Sequence, residues 1–310
     1  MAKKRVVLLF AGQGAQAVGM GKDLAAKYPS AQSLFAKADE ILGFSLSDVM
    51  FEGPQEELTR TSRCQPALFV HGLACLELIR EHVEIAGTAG LSLGEFTAHT
   101  AAGTFDFETG LGIVAKRGQF MEEATDSTEG AMAAMIGGDE DVVKNLAVES
   151  DVDVANFNAP GQIVLSGTTA GIDKALENAK AAGIKLAKKL DVAGAYHSRL
   201  MMPAQEKLAG ELANLDVKTP SVPVVCNFEA REVSDANDIR KTLEAQVSGS
   251  VRWTESIRQF IKRGETTFLE LGPGKVLAGL MKRIDRSATV ISVSDADSLK
   301  AAIETLSAAE

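Results

Sequence analysis

The sequence has few cysteines and no long hydrophobic run. Its three cysteines, Cys64, Cys75 and Cys226, lie far apart without C-x-x-C spacing, so neither a disulfide framework nor a zinc site is indicated, and we expect no metal. No stretch approaches the roughly 18 apolar residues of a membrane span. The apolar run from Val6 to Phe10 is too short for the core of a signal peptide. We therefore expect a cytoplasmic protein that does not enter membranes.

An excess of positive charge is also absent. The formal net charge is −10 and no long basic run offsets it, which argues against a nucleic-acid-binding protein. The hydrophobic fraction of 45% and the charged fraction of 24% are ordinary for a globular chain that buries a sizeable core. A length of 310 residues permits one large α/β domain or two smaller ones.

Apolar runs that alternate with helical patterns indicate an α/β fold. The run from Val6 to Phe10 ends in glycines and is typical of a parallel strand buried on both faces. From Gly130 to Leu190 the predicted order βαββαβ is that of a ferredoxin-like module. The sequence thus predicts a core of residues 1–127 and 198–310 with a parallel sheet, and an inserted ferredoxin-like α+β domain at 128–197.

Three local expectations accompany this fold. Pro66 suits the first turn of a helix predicted from Ala67 to Ile79. Asp139 is suited to cap a short helix that runs through Ala147. The apolar stretch from Pro223 to Asn227 is predicted as a strand of the core.

The stretch Gly90-Leu91-Ser92-Leu93-Gly94 lies between a short apolar strand and a small-residue helix. A serine between two glycines at such a turn is the pattern of a nucleophile elbow. The glycines let backbone and helix approach closely, and the helix N-terminus directs its free N–H groups at the serine oxygen. The motif alone arises by chance in many chains. The strand before it and the helix after it are what support Ser92 as a nucleophile.

A serine nucleophile needs a base, and the chain has four histidines. His71 lies in an amphipathic helix and His82 in a polar link, so both are expected to be structural or solvent-facing. His99 follows Ser92 by two helical turns, about 10 Å at 1.5 Å per residue, which is too far to take its proton. His197, where the insert ends and the core resumes, is the candidate base.

No acidic residue stands out as a third member of the site. Asp191 is close in sequence to His197, but it is predicted on a strand that holds it away. A backbone carbonyl is the alternative group for orienting the imidazole. The loop Ala11-Gly12-Gln13-Gly14 after the first strand fits neither the dinucleotide fingerprint nor the P-loop, so it is interpreted as a loop of backbone donors.

Together these motifs resemble the malonyl-CoA:acyl carrier protein transacylases, which load malonate onto the carrier protein for fatty acid synthesis. The resemblance spans nearly the whole chain and implies a hydrolase-like core with a ferredoxin-like insert. Besides the elbow, it is carried by Phe10-Ala11-Gly12-Gln13-Gly14, Gln65-Pro66-Ala67, Arg117-Gly118, Gly130-Ala131-Met132-Ala133-Ala134, Asn156 with Asn158, Gly194-Ala195 with His197-Ser198, Val251-Arg252-Trp253 and Gly272-Pro273-Gly274-Lys275-Val276-Leu277.

The resemblance implies a ping-pong acyl transfer from malonyl-CoA to the phosphopantetheine thiol of acyl carrier protein, with no cofactor, and a monomer is expected. It assigns roles to six residues. These are Ser92 as the acylated nucleophile, His197 as its base, the backbone N–H groups of Gln13 and Leu93 as the oxyanion hole, Arg117 as the partner of the malonyl carboxylate, and the carbonyl of Gln246 as the acceptor that orients the histidine.

The sequence departs from the family pattern at three positions. Leu91 stands where histidine is common before the nucleophile, and Arg199 occupies a place often taken by proline. Tyr196 replaces the usual phenylalanine and keeps a bulky ring beside the acyl pocket, which favours malonyl over methylmalonyl groups. The resemblance leaves open whether fatty acid or polyketide synthesis is served.

Other interpretations of these residues remain open at this stage. A thioesterase or esterase would use the same dyad, and a carrier-protein docking module would carry a vestigial elbow. Arg117, in the middle of a predicted helix, is either a solvated charge or the buried partner of a carboxylate. Two basic groups are candidates for docking an acidic carrier protein: one comprises Lys275, Lys282, Arg283 and Arg286, and the other Lys185, Lys188 and Lys189.

Overall fold

Ten strands in two sheets form the framework of the structure, a computed structural model that describes residues 3–308. In chain order the strands are β1 Lys4–Phe10, β2 Val83–Gly90, β3 Gly130–Ile136, β4 Asp153–Ala159, β5 Gln162–Thr168, β6 Leu186–Lys189, β7 Val224–Val225, β8 Glu232–Val233, β9 Thr267–Leu271 and β10 Thr289–Val293. One sheet has the order β10-β9-β1-β2-β7-β8 and the other the order β4-β5-β3-β6.

Helices cover both sheets and connect their strands. Within residues 3–308 they are α1 Lys22–Lys27, α2 Pro29–Leu42, α3 Leu46–Glu52, α4 Gln55–Thr59, α5 Thr61–Ile79, α6 Leu93–Ala101, α7 Phe107–Asp126, α8 Glu140–Glu149, α9 Thr169–Ala179, α10 Met202–Leu212, α11 Ala236–Ala245, α12 Trp253–Lys262, α13 Val276–Ile284 and α14 Ala296–Ala308. Two short 3₁₀ turns, Arg80–His82 and Arg199–Met201, complete the set. No helix in this part of the chain is long and apolar enough to cross a membrane.

The larger sheet is parallel from β10 to β7, and only its edge strand β8 is antiparallel. Its central strand β1 is fully buried from Val6 to Phe10, as the unbroken apolar run predicts. Phe10 is in register with Gly90 on β2 and with Leu271 on β9. The loops after these three strands therefore meet at one edge of the sheet, where ligands bind in open α/β folds.

The smaller sheet is antiparallel and is built from β3, α8, β4, β5, α9 and β6. This order and the strand arrangement β4-β5-β3-β6 confirm the predicted ferredoxin-like α+β module, which has an apolar core of its own. The module begins with Gly130 and its last strand ends at Lys189, inside the predicted limits of 128–197. The division into two domains stays a prediction.

The three local expectations were wrong in detail. Helix α5 begins at Thr61, because its first turn closes before Pro66 with a bond from Cys64 N to Arg60 O and packs tightly on Gly118 of α7. Asp139 occupies the N-cap position of α8 but makes no side-chain capping bond. The strand predicted at 223–227 is reduced to β7, because the chain turns back and pairs with β8, which the sequence did not indicate.

Candidate active site

Ser92 lies at the sharp turn between β2 and α6. Its backbone has φ 54° and ψ −111°, a conformation that side chains rarely adopt and that is typical of a strained functional turn. A Cβ added at Gly90 would lie 1.9 Å from the carbonyl carbon of Gly94, and one added at Gly94 would lie 2.4 Å from the carbonyl oxygen of Phe10. The two glycines of the motif are therefore required by the close approach of α6 to β1 and β2.

This close approach gives the first testable prediction. We expect Gly90→Ala to destabilise the fold by about 1–3 kcal/mol or more, the range typical of overpacking. The new methyl group would meet backbone atoms that cannot move aside. Gly112→Ala on α7 is the matched control, since nothing lies within 4 Å of its added Cβ. Thermal unfolding should show a lower Tm for the first variant and an unchanged or higher Tm for the second. Equal Tm values for both would contradict the packing described.

His197 lies beside Ser92 although the two are far apart in the chain. The Ser92 Oγ atom is 2.8 Å from His197 Nε2, and His197 Nδ1 is 2.8 Å from the carbonyl oxygen of Gln246 and 3.2 Å from that of Gly249. A carbonyl oxygen only accepts, so Nδ1 carries the proton and donates it. The lone pair of Nε2 is consequently free to accept the hydroxyl proton of Ser92.

The surroundings keep His197 uncharged. Burial, and secondarily the charge of Arg117, lower the pKa of His197 to about 4, although its two carbonyl acceptors favour the charged form. A neutral imidazole at physiological pH is the form that can take a proton. Asp191 lies beyond the end of β6, not on the strand, and lines the cavity; it is not a partner of His197 Nδ1, which is bonded to the two carbonyl oxygens instead.

Arg117 is buried on α7 and its guanidinium points at the serine. Its Nη2 donates to Ser92 Oγ at 3.0 Å and to Gln246 Oε1 at 2.8 Å, while Nη1 donates to Gln65 Oε1 at 2.7 Å. Burial lowers the pKa of Arg117 to about 10, so the group stays charged at neutral pH. Its Nε–H is buried and has no acceptor within residues 3–308. The site thus holds a cation that neutral oxygens satisfy only in part.

A buried polar network connects these groups, and sequence reasoning missed it. The Nε2 atom of Gln246 donates to the carbonyl oxygen of Ser92 and to Glu95 Oε2, at 2.9 and 2.7 Å. The Asn227 side chain accepts from the amide of Ser92 and donates to the carbonyl of Gly90, at 2.7 and 2.8 Å.

Ser92 and His197 open onto a cavity of about 250 Å³ between the two sheets. Gln13 and Leu93 line it, and their backbone N–H groups donate no hydrogen bond within the described residues. Such free donors beside a nucleophile can stabilise an oxyanion. Leu91 also lines the cavity as an apolar wall.

Tyr196 and Arg199 flank the histidine segment. The Tyr196 hydroxyl is 2.6 Å from Thr61 Oγ1, which fixes the ring at the cavity wall. Arg199 lies outside the cavity, where its guanidinium and its backbone N–H bind Asp153 and its Nη1 binds Asp151. Arg199 therefore ties the segment after His197 to the smaller sheet.

The other histidines lie away from the cavity. His71 and His99 are buried and bond to the Ser294 carbonyl and to the Thr104 hydroxyl, while His82 is exposed. Within residues 3–308, no group of three or more His, Cys, Asp or Glu side chains is arranged to hold a metal ion.

Residues 7–302 match the family model of the acyl transferase domain, and the chain belongs to this family. It is 45% identical over 308 residues to the malonyl CoA-acyl carrier protein transacylase of Bacillus subtilis (strain 168), with 97% of each chain covered. The crystal structure of an acyl carrier protein S-malonyltransferase from Vibrio cholerae has a TM-score of 0.93 and 38% identity, covering 96% of this chain and 99% of that one. The family indicated by the motifs and the α/β fold with its smaller insert are thereby confirmed.

A further solved structure contains a partner. It is described as a type II PKS acyl-carrier protein in complex with its malonyl-transacylase, and it has a TM-score of 0.94 and 37% identity to this chain. The match covers 97% of this chain and 99% of that one.

Proposed function

We propose that this chain transfers a malonyl group from malonyl-CoA to the phosphopantetheine thiol of acyl carrier protein. The observation that carries the proposal is the placement of Arg117 in hydrogen-bond contact with Ser92 Oγ, because a buried cation there suits an acyl group that ends in a carboxylate. The relatives named for malonyl transfer and the structural neighbour bound to a carrier protein support the same substrates.

In the first half-reaction, His197 Nε2 takes the proton of Ser92 Oγ, which attacks the thioester carbonyl of malonyl-CoA. The oxyanion of the tetrahedral intermediate accepts hydrogen bonds from the backbone N–H groups of Gln13 and Leu93. The C–S bond then breaks, the proton passes from His197 to the CoA sulfur, and malonyl remains on Ser92 as an ester. The Gln246 carbonyl holds the imidazole in the required tautomer throughout.

The second half-reaction is the reverse of the first, with the carrier thiol in place of CoA. The carrier thiol gives its proton to His197 and attacks the seryl ester, and Ser92 leaves with that proton. Ser92, His197 and the two substrate thiols account for every proton and electron pair in the scheme, so we propose that no cofactor takes part. The malonyl-carrier product would supply malonyl units to carrier-dependent synthesis such as that of fatty acids.

We also propose that the cleft forms where the core, 1–127 with 198–310, meets the insert, 128–197. Both parts contribute to the cavity wall: Gln13 and Leu93 come from the core, and Asn156 and Val164 come from the smaller sheet.

The basic surface of α13 is the better candidate for docking the carrier. Its cations Lys275, Lys282, Arg283 and Arg286 form no ion pair within the described residues, and Val276 on the same helix lines the cavity. In the insert group, Lys189 is paired with Asp173 at 2.8 Å, while Lys185 and Lys188 form no ion pair among the described residues. A carrier of opposite charge on α13 would therefore lie next to the cavity mouth.

We expect reversal of this patch, in a Lys282→Glu, Arg283→Glu variant, to lower kcat/KM for the carrier protein roughly tenfold or more and to weaken its salt dependence. Hydrolysis of malonyl-CoA should be unchanged. The matched control is Lys185→Glu, Lys188→Glu on the insert, which should leave the carrier kinetics as they are. A larger effect from the control than from the α13 variant would assign docking to the insert.

The experiment that tests the function follows malonyl transfer by intact mass. The enzyme is mixed with malonyl-CoA and a carrier protein that bears the phosphopantetheine arm, and the same carrier without the arm is the control. We expect malonyl on the armed carrier alone. Release of free malonate without a malonyl carrier would identify a thioesterase instead.

A further inference from the structure

Glu95 is a buried carboxyl for which the proposed reaction provides no role. It lies on α6, one turn past Ser92, and is fully buried. Its Oε2 accepts the backbone N–H of Asn227 at 2.8 Å and the Nε2–H of Gln246 at 2.7 Å. Its Oε1 is buried without a partner within residues 3–308. A buried carboxyl oxygen with no donor is costly, so this placement needs a reason.

Glu95 reaches the acyl cavity only through Gln246. The Gln246 amide donates to Glu95 with its nitrogen and accepts from Arg117 Nη2 with its oxygen. Since the Glu95 carboxylate can only accept, it fixes which end of this amide faces Arg117. Glu95 does not itself line the cavity. Glu95 therefore affects a bound substrate indirectly, through the Gln246 amide and the Arg117 guanidinium.

Glu95 and Arg117 are the charged groups of this buried network. The other titratable groups that face them are Cys226 after β7, and His197 and Tyr196 in the segment before α10. Burial lowers the pKa of His197 to about 4 and raises that of Cys226 to about 11, so neither changes charge between pH 6 and pH 8. Burial also raises the pKa of Glu95 to about 7, so Glu95 titrates within that range.

Entry of a second carboxylate changes the charge balance. With Glu95 ionised, the empty network is neutral, because one carboxylate balances one guanidinium. A malonyl carboxylate on Arg117 would leave the buried site with a net charge of −1, which a desolvated environment strongly disfavours. Uptake of one proton by Glu95 restores neutrality and leaves Arg117 to its new partner.

We propose that Glu95 is a positioning residue that balances Arg117 while the pocket is empty and takes up one proton from solvent when the malonyl carboxylate pairs with Arg117. The inference rests on the proposed function. It predicts that selectivity for malonyl over the neutral acetyl group depends on pH. Above the pKa of Glu95 in the empty enzyme, binding of each malonyl group requires the uptake of one proton. The rate of malonylation therefore falls relative to that of acetylation as pH rises.

The test compares acylation rates of Ser92 by malonyl-CoA and acetyl-CoA, measured by intact mass at pH 6 and pH 8. In the native enzyme the malonyl-to-acetyl ratio should fall about tenfold over this range. In Glu95→Gln it should stay flat, because the amide oxygen can replace Oε2 as acceptor and the side chain remains neutral, like the protonated acid. Glu270→Gln is the matched control: Glu270 is another buried carboxyl, but it bonds to Leu277, Ala278 and Ser292, and the native fall should persist.

A second measurement needs no variant. Acylation itself moves the serine proton to the CoA thiol and releases none, so net proton uptake reports Glu95. Malonylation in weak buffer at pH 7.5 should take up protons that acetylation does not. A flat ratio in the native enzyme, an equal fall in Glu95→Gln, or malonylation without proton uptake would each overturn this proposal alone. Absence of any malonyl adduct on Ser92 would overturn the proposed function and this inference with it.

Discussion

Transfer by a Ser92→Ala protein is expected to be undetectable, and a His197→Ala protein is expected to retain only a small residual rate. Without the hydroxyl there is no nucleophile to form the acyl ester. Without the imidazole 2.8 Å away, Ser92 Oγ keeps no bonded acceptor for its proton among the described residues, since its other partner, Arg117 Nη2, is a donor. Loss of the base in such a dyad typically costs several orders of magnitude. Malonyl transfer to the carrier protein, followed by mass, measures both variants.

The control for these variants is His82→Ala. His82 is exposed in the 3₁₀ turn before β2 and should have no effect on transfer. Both active-site variants should unfold near the native Tm, which separates lost chemistry from lost structure. Near-normal transfer by a folded His197→Ala protein would refute the assignment of the base.

Arg117→Ala should change which acyl group the enzyme accepts. A malonyl carboxylate that enters the buried cavity needs a fixed cation with more than one donor, and arginine supplies it. Loss of such a partner costs roughly 2–5 kcal/mol. We therefore expect acylation by malonyl-CoA to fall at least about 30-fold, at about 1.4 kcal/mol per decade. Acylation by acetyl-CoA should hold or rise, because the neutral group never used the contact.

Arg117→Lys is the matched control for geometry. It keeps the positive charge but loses the planar fork that bonds Gln65 and Gln246 at once, so its malonyl rate should lie between those of the native and alanine proteins. The readout is the ratio of the two acylation rates on intact protein. Rates that fall together would make Arg117 a structural residue. Unchanged rates would mean that another residue holds the carboxylate.

The sequence was sufficient to predict those elements whose structure depends on neighbouring residues in the chain. The elbow at Ser92 follows from glycine sterics, and the buried strand β1 follows from its unbroken apolar run. The order of strands and helices also gave the ferredoxin-like module, because each of its elements has its own periodic pattern. The role of the Gln246 carbonyl came from the family resemblance, and the structure places that oxygen 2.8 Å from His197 Nδ1.

The buried network had no such signal. Gln246 lies 151 positions from Glu95 and Asn227 lies 135 from Ser92, so only the folded chain brings these side chains together. Each is polar and would be solvent-facing by composition alone. The same reason applies to the edge of the core sheet. The apolar residues of β7 predicted a strand, but its short length and its antiparallel partner β8 depend on where the chain turns back.

The most direct test of the central claim is a mass measurement on the enzyme itself. The protein is mixed with malonyl-CoA, the adduct is located by fragmentation, and the acylated enzyme is then chased with carrier protein that bears the thiol arm. We predict one malonyl group, on Ser92, that is lost from the enzyme as it appears on the carrier. A malonyl group on another residue, or one that the carrier does not remove, would contradict the account.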